Sequence, residues 1–169
     1  MTKENISITT SKVAIRYGLI YGLVSIAIAI ISTVANMREH PLMNILTFGI
    51  WIAFIVLAVK YFKDNSEGFI TLGQGFGIGL LVSVIGNVIS GIFLIIYFKF
   101  LNPELWEQQL EKIRAEWEKQ GMDEKAMEFA ENFVKPEAML LFGILGALLL
   151  GSIFSVVIAA IMQKKKPAF

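Results

Sequence analysis

The sequence predicts an all-α fold, an integral membrane four-helix bundle with an extramembrane helical hairpin between the third and fourth spans. Three observations carry that expectation. Apolar residues make up 56% of the 169-residue chain and its mean hydropathy is +0.66, too high for an ordinary soluble domain. Four long stretches carry charge only near their ends, and with no water to satisfy an open backbone in lipid, each reads as a helix. The remaining polar stretch carries helix caps at two places. One membrane domain, 1–169, accounts for all of it: spans at about 13–35, 42–62, 70–100 and 138–163, and a polar helical hairpin over 102–135.

The first span places Lys12 and Arg16 where they reach lipid headgroups. Thr33-Val34-Ala35 resembles a signal-peptide cleavage site, but the uncharged run from Tyr17 has the length of a full span. It also carries Ala14, Gly18, Gly22, Ser25, Ala29 and Ser32 on one narrow helical stripe, so an uncleaved, packed helix is expected. A tight connection over 36–41 holds His40, the one histidine of the chain, which beside Arg38 and Glu39 reads as solvated. The second span ends in Lys60-Tyr61-Phe62-Lys63, an interfacial anchor, and 64–68 is a turn by composition. Links this short make consecutive helices antiparallel neighbours.

The third span is uncharged over 78–98. Counted from Gly75 at about 100° per residue, Gly79, Ser83, Gly86 and Ser90 fall within an arc of about 80°. Small side chains there admit a second helix closely, and close approach with interhelical hydrogen bonds supplies most of the association energy in lipid. Asn87 flanks the stripe, and an interhelical hydrogen bond is its expected partner. The alternating Gly73, Gly75, Gly77 and Gly79 are not a nucleotide loop: the spacing is GxGxGxG, no Walker lysine follows and no βαβ unit surrounds it.

Asn102-Pro103-Glu104 supplies an N-cap, a first-turn proline and a first-turn acid. On the helix that follows, Trp106, Leu110, Ile113 and Trp117 lie within about 60° of one another and form a candidate partner surface. Gly121 ends it, and Asp123 caps a second helix whose Met122 and Met127 are placed for a hydrophobic staple and whose Ala126, Ala130, Phe133 and Val134 share a face. The apolar sides of this pair require a cover: each other, the membrane surface or another protein. The last span carries Gly143, Ala147, Gly151, Ser155 and Ala159 at every fourth position, suited to a partner helix crossing at an angle. Lys164-Lys165-Lys166 closes it as a basic stop against anionic lipid.

Arg16-Tyr17-Gly18 with Gly22, the run Gly68-Phe69-Ile70-Thr71-Leu72-Gly73-Gln74-Gly75-Phe76, then Tyr97-Phe98-Lys99-Phe100-Leu101-Asn102-Pro103-Glu104, and finally Gly151-Ser152-Ile153 running to the lysine tail give the chain a recognisable order. In these features it resembles the bacterial membrane family catalogued as domain of unknown function 4199, found mainly in Bacteroidota-type bacteria. The resemblance implies four membrane helices with a polar insertion before the last, and no established activity. Gly75 departs from it, alanine being expected there.

Lys and Arg number eight on the side of the termini and seven opposite, close to a tie. The tail lysines abut the last span, and 99–137 holds ten acids against six bases, so cytoplasmic termini are expected. Cysteine is absent, which excludes disulfides, thiolate metal sites and a cysteine nucleophile. No HExxH, GxSxG or EF-hand spacing occurs, and the loop carboxylates lie among Lys and Arg as a solvated helix surface does. The spans hold Asn, Ser, Thr and Gln but no Asp, Glu, Lys, Arg or His away from their ends, against proton coupling or voltage sensing. The expected role is structural or partner-interacting and non-enzymatic, in the bacterial inner membrane. No cofactor, metal or nucleic acid is implied; the partners are the lipid bilayer and a second copy or another membrane protein. The alternative is a small oligomeric transporter or channel, with Asn87, Gln74 and the span serines lining its pore.

Overall fold

Residues 8–166 other than 36, 38 and 39 are described by a computed structural model of the chain. Asn36, Arg38 and Glu39, beside which His40 was read as solvated, lie outside them. Among the described residues the fold is all-α: α1 (Thr10–Val34), α2 (Pro41–Asp64), α3 (Leu72–Ile96), α4 (Pro103–Lys119), α5 (Glu124–Val134) and α6 (Pro136–Met162), with a π-helical turn, Tyr97–Leu101, after α3. Four of these helices, α1, α2, α3 with its π turn, and α6, are long and apolar enough to cross a membrane.

Local chemistry sets where each begins and ends. Thr9 caps α1 by accepting from the Lys12 amide, and His40 caps α2 through Nδ1, which accepts from the Leu42 amide at 3.3 Å. Thr71 and Gln74 form a reciprocal capping box at the start of α3. Gln74 thus serves the cap, about 20 Å along the helix from Asn87. Asn102 Oδ1 accepts from the Leu105 amide and Pro103 takes the first helical position of α4. At the other end Gly121, at φ +77, turns the chain in a Schellman arrangement, the Met122 amide donating to Trp117 O and the Gly121 amide to Glu118 O.

α3 is the central helix. It packs most extensively against α6 and α1 and more lightly against α2, so neighbours in space are not chiefly the neighbours in sequence. Consecutive antiparallel pairing understates this, because the small-residue positions of α3 admit helices from two sides.

Most of the side chains buried most deeply are gathered between the middle of the bundle and the end where α1 begins and α6 stops: Ile55, Val59, Ile70, Ile78, Val82, Ser83 and Ser155 are all under 2% exposed, while Phe98 is buried at the opposite end. Every buried residue of α2 lies between Trp51, just short of its midpoint, and Phe62. In its first half Leu42, Ile45, Leu46 and Phe48 are exposed.

The α2–α3 loop is fastened to the tail. Ile70 and Lys164 exchange both backbone hydrogen bonds at 3.0 Å, Lys166 Nζ lies 2.8 Å from Glu67 Oε2, and Lys164 Nζ stands 5.7 Å from the centre of the Phe69 ring. Two of the three tail lysines thus have protein partners, where the sequence suggested lipid alone. Arg16 is held similarly over the Tyr61 ring, 5.5 Å from its centre, where the sequence suggested headgroups alone.

Candidate functional site

The small residues bring helices together within the chain. A Cβ placed on Gly18 would stand 2.8 Å from Ile85 Cβ, on Gly22 2.9 Å from Ile89 Cβ, and on Gly75 2.8 Å from Ala159 Cβ. Contacts that short force something to shift. Gly79 faces Ser155 and Ile55, Gly86 lies under the Tyr21 ring, and a Cβ on Gly151 would sit 3.1 Å from Ser83 Cβ. Ala147 and Ser155 are buried on the α6 face. Trp51, which sequence reasoning passed over, reaches into this contact: its indole N–H donates to Ser83 Oγ at 2.9 Å, and Ser83 Oγ donates in turn to Gly79 O.

Asn87 behaves otherwise than expected. Its Nδ2 donates to Ser83 O, one turn back on its own helix, rather than to another helix. A carbonyl one turn back on the same helix is within reach of this side chain, so one N–H is satisfied without a partner helix. Its Oδ1 is turned toward Gly143, 3.7 Å from where a Cβ there would be, so Gly143 leaves a gap rather than a contact.

That gap belongs to a cleft. Tyr21, Asn44, Thr47, Trp51, Asn87 and Gly143 are among the residues around a volume of about 390 Å³, set where the first half of α2 stands away from α3 and α6. A second volume of about 280 Å³ shares Tyr21, Thr47, Asn87 and Gly143 and continues past Ser25 and Ser90. No charged side chain lines either one. A signal was present in the sequence: Asn44, Thr47 and Trp51 fall within about 60° on one helix, Tyr21 and Ser25 are one turn apart, and so are Asn87 and Ser90.

Outside the spans, the backbones of α4 and α5 approach each other little, and the Arg114–Glu131 ion pair bridges them. α4 makes its close backbone approaches to the π turn and α5 to α6, with little between the two. Trp106, Leu110, Ile113 and Trp117 are half-buried rather than covered, the Trp106 ring lying 5.4 Å from that of buried Phe98. On α5, Phe133 is exposed together with Phe129, and its ring meets that of Phe142 on α6. Between the two helices a concave space of about 770 Å³ is lined by Glu118, Glu124, Glu128 and Glu131, with Met127 and the single cation Arg114. The Arg114 guanidinium hydrogen-bonds Glu131 and holds its carboxyl below the usual range, and Lys166 does the same for Glu67.

Among the described residues no group of three or more His, Cys, Asp or Glu is placed to hold a metal ion. No curated protein and no solved structure matches the chain. One family model does, over residues 16–164, from the first turns of α1 to just past α6. The chain therefore belongs to the family described as protein of unknown function DUF4199.

Proposed function

We propose that this chain is a non-enzymatic protein of the bacterial inner membrane that works by interaction, with its termini in the cytoplasm and α4 and α5 presented on the opposite side. The observation that carries the reading is the acidic concave space between those helices, where four glutamates stand around one arginine. Such a surface suits a cationic segment of a partner protein, because complementary charge raises encounter rates and excludes like-charged competitors. Phe129 and Phe133, continuous with the exposed Phe142 of the last span, fit burial in the bilayer surface and would fix the acidic space just above it.

The test is photo-crosslinking in living cells from a reactive residue placed at Glu124, with and without Glu118→Lys and Glu128→Lys. A discrete adduct that the charge reversals abolish supports the reading. An adduct indifferent to them, or none in cells making the protein at native level, contradicts it. Orientation has its own test: a reporter active only outside the cytoplasm should be active when inserted at Gly121 and silent when fused after Phe169, and the reverse pattern would invert the topology.

A transporter or channel is the second reading, favoured by Asn87 in the wall of a cleft that carries several uncharged polar side chains. It requires the closely packed end of the bundle to open. Passage of a small uncharged solute through the purified protein in liposomes would support it; an impermeable vesicle would not.

A further inference from the structure

The membrane-embedded cleft has the chemistry of a binding site, and its lining specifies the class of guest. At about 390 Å³ the larger volume falls within the range of small-molecule pockets. Its polar groups retain hydrogen-bonding capacity. Asn87 spends one N–H on Ser83 O, leaving the other N–H and Oδ1; Thr47 donates to Met43 O and Ser90 to Gly86 O, so both hydroxyl oxygens still accept. The Ser25 hydroxyl is buried without a geometrically sound hydrogen bond. Asn44 and Tyr21 add uncharged polar groups to the lining, and most of the remaining wall is hydrocarbon, including Leu94, Leu140 and Leu150.

Charge and depth narrow the choice. With no cation lining the cleft, a phosphate or carboxylate would be desolvated without compensation, a cost that excludes anionic heads. Gly143 lies about 10 Å along α6 from Pro136, inside the apolar span rather than at its charged end. Gly143 and Gly146 supply the space, since a Cβ on Gly146 would meet nothing within 4 Å. We propose that this cleft binds an uncharged amphiphile of the diacylglycerol type, its hydroxyl donating to Thr47 or Ser90, one ester carbonyl accepting the remaining N–H of Asn87, and its chains against the leucines. The site is independent of the acidic space between α4 and α5.

The full chain in detergent, studied by native mass spectrometry, provides the test, with 1,2-dioctanoylglycerol, dioctanoyl phosphatidate and glycerol as probes. Dioctanoylglycerol should bind at one copy per chain and at least about tenfold more tightly than the phosphatidate, and glycerol should not bind. Gly146→Leu, which places a side chain in open space, should abolish binding. Asn87→Leu should weaken it about fivefold, the worth of one hydrogen bond, and Leu149→Ala on the exposed side of α6 should leave it unchanged. Equal or tighter phosphatidate binding, unchanged binding in a folded Gly146→Leu protein, or a second copy of the chain crosslinked at position 146 with no lipid bound would each overturn the assignment. Should either variant fail to fold, the choice between the two lipids by the wild-type chain still decides it.

Discussion

The two halves of α2 show what separates a closed membrane bundle from an open one. From Trp51 to Phe62 the helix presents Trp51, Ile55, Ala58, Val59 and Phe62 inward, and opposite them α3 and α6 carry Gly79, Ser83 and Ser155, so large side chains meet small ones. From Pro41 to Ile50 the residues that border the cleft are Asn44, Thr47 and Phe48, opposite Asn87, Gly143 and Gly146, where α3 and α6 offer little bulk in return. Where bulk meets a gap the helices close; where the facing side chains do not fill the space they leave a cleft. Small residues alone therefore do not make a tight contact in lipid. They make one only when the facing helix supplies the volume.

The largest effect should come from filling a gap in the closed half. Gly79→Leu drives a side chain into Ser155 and Ile55 and should cost about 3 kcal/mol or prevent a monodisperse protein in detergent. Gly77→Leu, where a Cβ meets nothing within 4 Å, should change the thermal midpoint little. Equal losses at the two sites would mean that the contrast in packing is absent from the folded protein.

A smaller effect should separate two serines of α3. Ser83→Ala removes the acceptor of the Trp51 indole and should destabilise by about 1–2 kcal/mol. Ser90→Ala removes a hydroxyl bonded only to its own helix and should cost less than about 0.5 kcal/mol. Thermal unfolding of the two variants side by side would sharpen the comparison, and a costlier Ser90→Ala would break it.

Parts of this arrangement were legible in the sequence and parts were not, for a physical reason. Spans and caps are local: the hydropathy of 20 residues implies a crossing, and Asn102-Pro103 or Gly121 sets a terminus through atoms a few residues away. The small-residue stripes could be read too, though not their partners. That Gly75 meets Ala159 while Gly143 meets only an amide oxygen depends on residues far apart in sequence. The same holds for the Trp51–Ser83 bond, the fastening of Ile70 to Lys164 and the slight backbone approach of α4 to α5. The π turn at Tyr97–Leu101 carries no local signature, and by sequence this stretch is the plain end of a span.

The smallest effect concerns the fastened tail at the closed end. Glu67 is exposed and its pKa is lowered by Lys166, so the contribution of the pair is present at neutral pH, above the unfolded-state pKa, and is lost as pH falls through the lowered value. Glu67→Gln should hasten hydrogen exchange of the Lys164 amide about twofold at neutral pH, the scale of an exposed ion pair. In acid, wild type and variant should converge. A hundredfold change would mean that the charge pair, not the backbone pairing with Ile70, holds the tail.

The division of the bundle is tested most directly by thiol accessibility, for which a chain without cysteine is well suited. Single replacements Ser83→Cys and Ser155→Cys probe the closed half, where both serines are 0% exposed, and Asn87→Cys and Ser90→Cys probe the cleft wall. With a small methanethiosulfonate reagent acting on each folded protein in detergent, positions 87 and 90 should react at least about tenfold faster than 83 and 155, because the reaction requires water and a thiolate. Uniform rates across all four positions would contradict the account.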